Sequence, residues 1–304
     1  MHDSTPRPTQ GIALALLAVA CFSALDTTTQ WVAGAAPMML ALFIRYLVQA
    51  CVASVPVLRP GGRALLRSAH PRFHLARTVL LLLVSILAFL SLRLMPVGEF
   101  TAIVMVTPLL VTLFAARLFA EQVNARQWLF VAGGFIGTLL IVRPGGSAFS
   151  WLLALPLVLV VLNAGFQLLT SRMTRTEDPR TLQFYAGWIG SVCAGVPLIW
   201  LWSPVTDARV WLGMAFMGLA STQGHLFLIR AFQSAPASAL MPYMYMQIPF
   251  SMLGGWLVTR HAPDGWGLAG IALIGACGVG GALARQRTPI AAQEAISVLE
   301  ASEH

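Results

Sequence analysis

Charged residues are scarce in this chain, and lysine is absent, so every one of its 19 strongly basic residues is an arginine. Charged side chains make up 10% of the 304 residues and hydrophobic ones make up 58%, whereas soluble domains carry about 25% charged residues. A soluble fold would leave much of this apolar surface in water. The composition therefore excludes a soluble domain and indicates an integral membrane protein.

Reactive and metal-binding motifs are also missing. The four cysteines, Cys21, Cys51, Cys193 and Cys277, stand singly in apolar stretches, so they form neither a disulfide framework nor a metal knuckle. No HExxH helix, Walker A loop or serine elbow occurs. We therefore expect no catalytic residue, no metal and no cofactor, and the sequence argues against an enzyme and an ATP-driven pump. A membrane enzyme and a scaffold that moves no solute are the competing classes.

Ten apolar stretches of membrane-spanning length fill most of the chain. Each meets or approaches the ~20 residues that cross ~30 Å of hydrocarbon, and backbone groups in lipid must be satisfied within the segment, which predicts helices. We place them at 11–34, 35–58, 75–95, 97–119, 127–143, 151–171, 181–202, 210–232, 236–258 and 264–284.

The fourth and ninth stretches resemble each other. Four small or kinking residues recur 140 to 141 positions later in the same order: Pro96, Pro108, Gly134 and Gly137 are followed by Pro236, Pro249, Gly275 and Gly278. A copy that begins after five spans, an odd number, lies upside down relative to the first. Inverted repeats are typical of secondary transporters, which bind solute between the halves. The prediction is an all-α integral membrane protein of ten transmembrane helices in two inverted five-helix repeats, 11–145 and 150–284, with a cytoplasmic tail at 285–304.

The arginines indicate how the chain is oriented. With the N-terminus inside, fourteen arginines fall on the cytoplasmic side and four on the other, which predicts cytoplasmic N- and C-termini in a bacterial inner membrane. The charge is not gathered on one face with aromatic or groove-reading elements, so no nucleic-acid partner is expected. The expected partners are a small-molecule substrate and the lipid bilayer. Small residues at helix-packing spacing, such as Gly133 and Gly137, serve packing within the fold or a homodimer.

Two charged residues lie deep in the predicted spans, where each needs a reason. Asp26 and Arg45 stand about ten residues before and after the turn near Ala35 and Ala36, so both fall near mid-membrane at ~1.5 Å per residue. One interpretation is an ion pair that locks the hairpin. The other is that both line a cavity and bind substrate or a proton.

Polar residues in the second half add candidates for a solute pathway: Asn163, Gln167, Tyr185, Gln223, His225, Tyr243 and Gln247. Amides and aromatic faces suit a flat or amphipathic solute, although interhelical hydrogen bonds and an interfacial aromatic belt would use the same residues. His225 is a second proton candidate because the unperturbed pKa of histidine lies near neutrality.

Two matched prolines and one charged pair complete the candidates. Pro108 and Pro249 each remove a backbone donor mid-helix, and the matched kinks are candidate hinges for alternating access. Arg93 and Glu99 flank the third turn, near Pro96. We assign that pair to the periplasmic rim, as a gate or as a surface pair.

Several segments carry a resemblance to a known family: FSALD (22–26), IRY (44–46), LMPVGEFTAI (94–103), TPLLVTLFAARLFAEQV (107–123) and GFIGTLLIVRPG (134–145). In these segments the chain resembles bacterial members of the drug/metabolite transporter superfamily, the EamA family. The resemblance implies ten helices, cytoplasmic termini and a central cavity. It also implies a secondary transporter that works by alternating access, and from such members we expect an exporter of an amino-acid-like or opine-type metabolite. The alternative is an importer of a vitamin or nucleoside-like compound such as riboflavin or S-adenosylmethionine.

Overall fold

The computed structural model describes residues 8–95, 97–119, 121, 123–142, 154–259, 265–277 and 279–280. Regular structure within these ranges is helical, and no strand occurs in them. The helices are α1 (Pro8–Ala33), α2 (Met38–Leu58), α3 (Pro71–Leu94), α4 (Val97–Val104), α5 (Thr107–Leu118), α6 (Ala125–Val142), α7 (Ala154–Met173), α8 (Pro179–Leu201), α9 (Ala208–Ser234), α10 (Ala237–Met244), α11 (Gln247–Thr259) and α12 (Gly265–Cys277), with a 3₁₀ turn at Gly62–Leu66. The predicted tail at 285–304, together with Pro96 and Gly278 of the repeat pattern, lies outside the described residues.

Six of these helices are long and apolar enough to cross a membrane: α1, α2, α3, α7, α8 and α9. Two shorter apolar helices, α5 and α12, accompany them. The fourth and ninth stretches, each predicted as one helix, are instead broken in two. Their parts are α4 with α5, and α10 with α11.

Proline explains both breaks. Pro108 has no N–H to donate to the carbonyl of Val104, the last residue of α4, and its ring crowds that carbonyl. Pro249 stands in the same relation to Tyr245, the residue that follows α10. At each break a hydrogen bond reaches back three residues instead of four. It runs from Val106 N to the carbonyl of Ile103 at 3.0 Å and from Met246 N to the carbonyl of Tyr243 at 3.1 Å. The sequence predicted kinks, and the structure contains a two-residue turn in each stretch, with Val106 and Tyr245 still in the right-handed helical conformation.

Helices that are adjacent in the chain are mostly not neighbours in space. The most extensive contacts join α1 to α9, α2 to α8 and α3 to α7, while α5 packs on α10. The contact between α1 and α2 is slight. The hairpin that would have brought Asp26 against Arg45 is therefore not closely packed, because each of its helices is covered by a helix from the later part of the chain.

Glycines allow these close approaches. A Cβ added to Gly187 of α8 would lie 2.6 Å from the backbone N of Ala50 in α2. A Cβ added to Gly137 of α6 would lie 2.8 Å from Cγ1 of Ile274 in α12. The small-residue face of α6 is therefore used within the fold at Gly137.

We expect Gly187→Ala to lower the free energy of unfolding by about 1–3 kcal/mol, because the new methyl group would displace the backbone of α2. Gly165→Ala is the matched control, since a Cβ on Gly165 of α7 meets no atom within 4 Å. The midpoint of thermal unfolding in detergent micelles measures both variants. Equal midpoints would show that α2 and α8 are not in such close contact.

Candidate functional site

A cavity lies among the helices, with polar side chains distributed along a mostly apolar wall. Its walls come from α1, α2, α3, α4, α5, α7, α9, α10 and α11, and most of the lining side chains are apolar. Six of the predicted pathway residues line it: Asp26, Arg45, Asn163, Gln167, His225 and Gln247. Pro108 lines it as well.

The cavity extends from the middle of the molecule towards one end. On α1 the lining runs from Phe22 to Thr29, and on α3 from Leu81 to Leu92. Both stretches lie in the halves of those helices nearer the α1–α2 and α3–α4 connections, at what we call the α1–α2 end. The opposite end carries the α2–α3 and α7–α8 connections and is called the α2–α3 end.

Arg45 is a buried cation held by neutral side chains. Its Nε donates to Oγ of Ser221 at 2.9 Å and its Nη1 donates to Oγ of Ser85 at 2.9 Å. The hydroxyl of Tyr46 lies 3.0 Å from the same Ser85 oxygen. Ser85 in turn donates to the carbonyl of Leu81, one turn earlier in α3. The guanidinium of α2 is thus fixed between α3 and α9.

Asp26 is joined to the start of α11. Nε2 of Gln247, the first residue of α11, donates to Oδ2 of Asp26 at 2.8 Å. Oγ of Ser23 donates to the carbonyl of Gln247 at 2.8 Å, and Oγ of Ser251 bonds Ser23 at 3.0 Å. The helix that follows the break at Met246 is therefore attached to α1 by its first turn.

The ion-pair interpretation of Asp26 and Arg45 is wrong. Among the described residues, the ion pair found within 4.0 Å joins His74 to Glu177. Asp26 and Arg45 line the same cavity, yet each is held by a neutral side chain from the later part of the chain. Both side chains therefore line the cavity without a direct ion pair between them.

The second half contributes amides and one imidazole. Asn163 and Gln167, one turn apart on α7, both line the cavity, and Oε1 of Gln167 is buried without a hydrogen-bond partner among the described residues. Nδ1 of His225 lies 2.9 Å from the carbonyl of Ser221. Its ring contacts Phe22 edge-on, with centroids 5.0 Å apart. The free amide oxygen of Gln167 is suited to accept a hydrogen bond from a solute.

Three predicted residues lie outside the cavity. Gln223 is exposed on the outer face of α9, because residues two apart on a helix point to opposite sides and His225 takes the inward one. Tyr185 donates its hydroxyl to the carbonyl of Leu66 at 2.7 Å, at the α2–α3 end. Tyr243 is buried within α10 but does not line the cavity. Three of the nine predicted pathway residues therefore lie outside this cavity.

The structure places only some of the predicted rim and hinge residues. Arg93 is exposed in the last turn of α3, while the side chain of Glu99 lies outside what the structure describes. Pro249 does not line the cavity, unlike Pro108. Ser85 and Ser221, which hold Arg45, were not predicted, since a single serine in an apolar helix carries no distinguishing signal.

Known proteins resemble this chain over most of its length. The model of the EamA-like transporter family matches residues 9–143. A riboflavin transporter of Rhizobium johnstonii is 30% identical over 85% of this chain and 86% of its own length. A pseudopaline exporter of Pseudomonas aeruginosa is 27% identical over 87% and 93%. An S-adenosylmethionine uptake transporter of Rickettsia prowazekii is 21% identical over 87% and 89%.

A solved crystal structure has the same fold as this chain. It superposes with a TM-score of 0.72 at 20% sequence identity and covers 90% of this chain and 95% of its own. At this identity the likeness concerns the fold alone.

We expect Ser85→Ala to lower the free energy of unfolding by about 1–3 kcal/mol, because it removes a partner from both Arg45 and Tyr46, which are buried. Ser191→Ala is the matched control, since this buried serine donates only to its own helix at Gly187. Thermal unfolding midpoints in micelles compare the two. A control that falls as far as Ser85→Ala would contradict the role given to the Arg45 contacts.

Proposed function

The chain belongs to the EamA-like transporter family, and we propose that it is a secondary transporter that carries a small amphipathic metabolite through the central cavity by alternating access. The observation that supports this most is the pair Asp26 and Arg45, which face one cavity without pairing with each other. A scaffold or a purely structural bundle would gain by joining the two charges directly. A solute site benefits from keeping them apart.

The proposed architecture is ten spans in two inverted repeats, 11–145 and 150–284. Support comes from the broken helices, since α4 and α10 begin and end 140 residues apart, and α5 and α11 begin 140 residues apart. The helix contacts have the symmetry expected of two repeats. When each predicted span is replaced by the span five places away in the chain, the α1–α9 contact becomes the α7–α3 contact. The α2–α8 contact is unchanged by the same replacement.

We further propose a bacterial inner-membrane location with both termini in the cytoplasm, as the arginine distribution favours. The α2–α3 end then faces the cytoplasm, and the cavity lies on the periplasmic side of the midplane. We therefore propose that the described conformation is the one that opens to the periplasm, because the lining residues of α1 and α3 lie towards that end.

A flat, amphipathic solute fits the walls best. Phe22 and Phe166 supply aromatic faces next to the amide of Gln167 and the charges of Asp26 and Arg45. Stacking together with hydrogen bonding suits a heteroaromatic ring with a polar side chain. Riboflavin is the first candidate, in keeping with the name of the Rhizobium relative, and its expected direction is uptake.

An opine-type metabolite is the second candidate. A guanidinium and a carboxylate in one cavity can bind the carboxylate and the ammonium of such a compound, and a relative is named as a pseudopaline exporter. Export of such a metabolite is the function expected from the family resemblance of the sequence. Flux into and out of proteoliposomes, with riboflavin and with opine-type amino acids, with and without a pH gradient, decides between the two. If neither solute is transported, and none in a broader metabolite panel is, the result would favour a scaffold.

We expect Asp26→Asn to lower solute flux at least about tenfold, because the charged acceptor of the cavity is lost. Asp207→Asn is the matched control, since this exposed carboxylate only caps α9 through Arg209 N, and asparagine caps equally well. Initial rates in proteoliposomes measure both, with thermal midpoints as the test of folding. Full transport by a normally folded Asp26→Asn protein would remove Asp26 from the site.

We expect the double change Pro108→Ala and Pro249→Ala to slow turnover by about threefold or more while solute binding is retained, because restored N–H groups allow both broken helices to become continuous and stiffer. Pro197→Ala is the control, since Pro197 lies inside α8 without breaking it. Flux and equilibrium binding are measured separately. Unchanged turnover would show that the breaks are not hinges.

A further inference from the structure

We propose that Glu177 is a positioning residue of the transport cycle: it holds the α2–α3 end closed while the cavity is accessible from the other end. This inference rests on the proposed alternating access. Glu177 lies in the connection between α7 and α8, more than a helix turn beyond any residue that lines the cavity, and no part of the solute site depends on it directly.

One oxygen of Glu177 collects most of its contacts from the facing connection. Oε1 accepts from Oγ of Ser68 at 2.7 Å, from N of Ala69 at 2.9 Å and from N of His70 at 3.1 Å. Nε2 of His74, in the first turn of α3, lies 3.6 Å from the same oxygen. We call these five residues the Glu177 cluster. The carboxylate side chain is 4% exposed, so the acceptor oxygen belongs to a buried group.

Two further side chains join the same pair of segments. Oγ1 of Thr181 donates to the carbonyl of Leu65 at 2.9 Å, and the hydroxyl of Tyr185 donates to that of Leu66 at 2.7 Å. Both belong to the first two turns of α8. Residues 65–70 are therefore held against α8 and its preceding connection by three side chains.

A buried arginine connects this end to the cavity. Arg77, one turn beyond His74 in α3, donates Nε to Oγ1 of Thr170 at 2.8 Å and Nη1 to the carbonyl of Leu182 at 3.3 Å. Its Cζ lies 4.9 Å from the ring centre of Phe166, which lines the cavity. Movement of α3 away from α7 and α8 would break the Arg77 contacts and the Glu177 cluster together.

At the opposite end, the carboxylate that the structure describes, Asp207, is exposed and caps its own helix. Under the proposed repeat, position 177 corresponds to position 36, which is Ala36 in the α1–α2 connection. A charge-assisted cluster at one end and an alanine at the other makes the two ends unequal. Contacts present in only one of two conformations shift the population towards it, so the Glu177 cluster favours the conformation that the structure shows.

The experiment measures access to a buried position from the proposed cytoplasmic side. Cys21, Cys51, Cys193 and Cys277 are replaced by serine, and Ser171→Cys is introduced as the reporter. Ser171 is 3% exposed on α7, between Thr170 and the Glu177 cluster. Alkylation by a membrane-impermeant maleimide is followed in inside-out vesicles, with right-side-out vesicles as the check on sidedness.

We expect Glu177→Gln to raise the alkylation rate of the reporter about tenfold, because charge-assisted hydrogen bonds of the closed conformation are weakened. Asp178→Asn is the matched control and should leave the rate unchanged, since the exposed Asp178 carboxylate caps α8 through Arg180 N. If Glu177→Gln does not fold, Tyr185→Phe removes a single surface donor and should raise the rate about threefold.

A second reporter separates gating from unfolding. Thr29→Cys, in the cavity wall at the α1–α2 end, should not react faster in Glu177→Gln, whereas general loosening would raise both rates. A Ser171→Cys rate equal to that of the Asp178→Asn protein, or a joint rise of both reporters, overturns the proposal. The assay uses no solute, so a wrong substrate in the proposed function would leave its outcome readable.

Discussion

The absence of an N–H on two prolines shapes the centre of this protein. Pro108 and Pro249 interrupt the regular backbone hydrogen bonding between α4 and α5 and between α10 and α11, and backbone groups left without helical partners are tolerated inside a membrane only where protein or a wet cavity surrounds them. Both interruptions meet that condition. Met105 and Thr107 at the first, and Met244 and Gln247 at the second, line the cavity. Without the breaks, Gln247 would continue a helix instead of standing at the start of one, where its amide reaches Asp26.

Much of this arrangement was predictable from local sequence. The recurrence of prolines 140 to 141 residues apart predicted that the fourth and ninth spans are alike, and their broken halves have matching bounds. Deep polar residues on α1, α2 and α7 were predicted to share a cavity, and they do so. These features follow from single residues and from spacing along one helix, which a sequence contains directly.

The remainder depends on which helices become neighbours, and local sequence does not contain that. Asp26 and Arg45 were placed at one depth, but α1 packs on α9 and α2 on α8, so their partners are Gln247, Ser85 and Ser221. Serines embedded in apolar helices give no warning that they will hold a cation. The helical phase of α9 would have separated Gln223 from His225, whereas the surface position of Tyr185 required knowledge of the 62–70 segment.

Arg77 illustrates the same limit and links the two ends of the molecule. It is one of the fourteen arginines that the sequence assigned to the cytoplasmic side, yet it is 1% exposed inside α3, and its Nη2 is buried without a hydrogen-bond partner among the described residues. Arg45 and Arg77 both use hydroxyl or carbonyl acceptors and have no carboxylate within ion-pair distance among the described residues.

A buried cation without a counter-ion is unfavourable in free energy. A rearrangement that gives either arginine a better partner would therefore lower the free energy of the protein. For Arg45 the proposed function supplies such a partner, since Arg45 lines the cavity. For Arg77 the corresponding rearrangement is a change in the contacts of α3 with α7 and α8, the same contacts to which the Glu177 cluster contributes. Phe166 lies under the Arg77 guanidinium and also lines the cavity, so a movement of α3 that displaces Arg77 would alter a contact of the cavity wall.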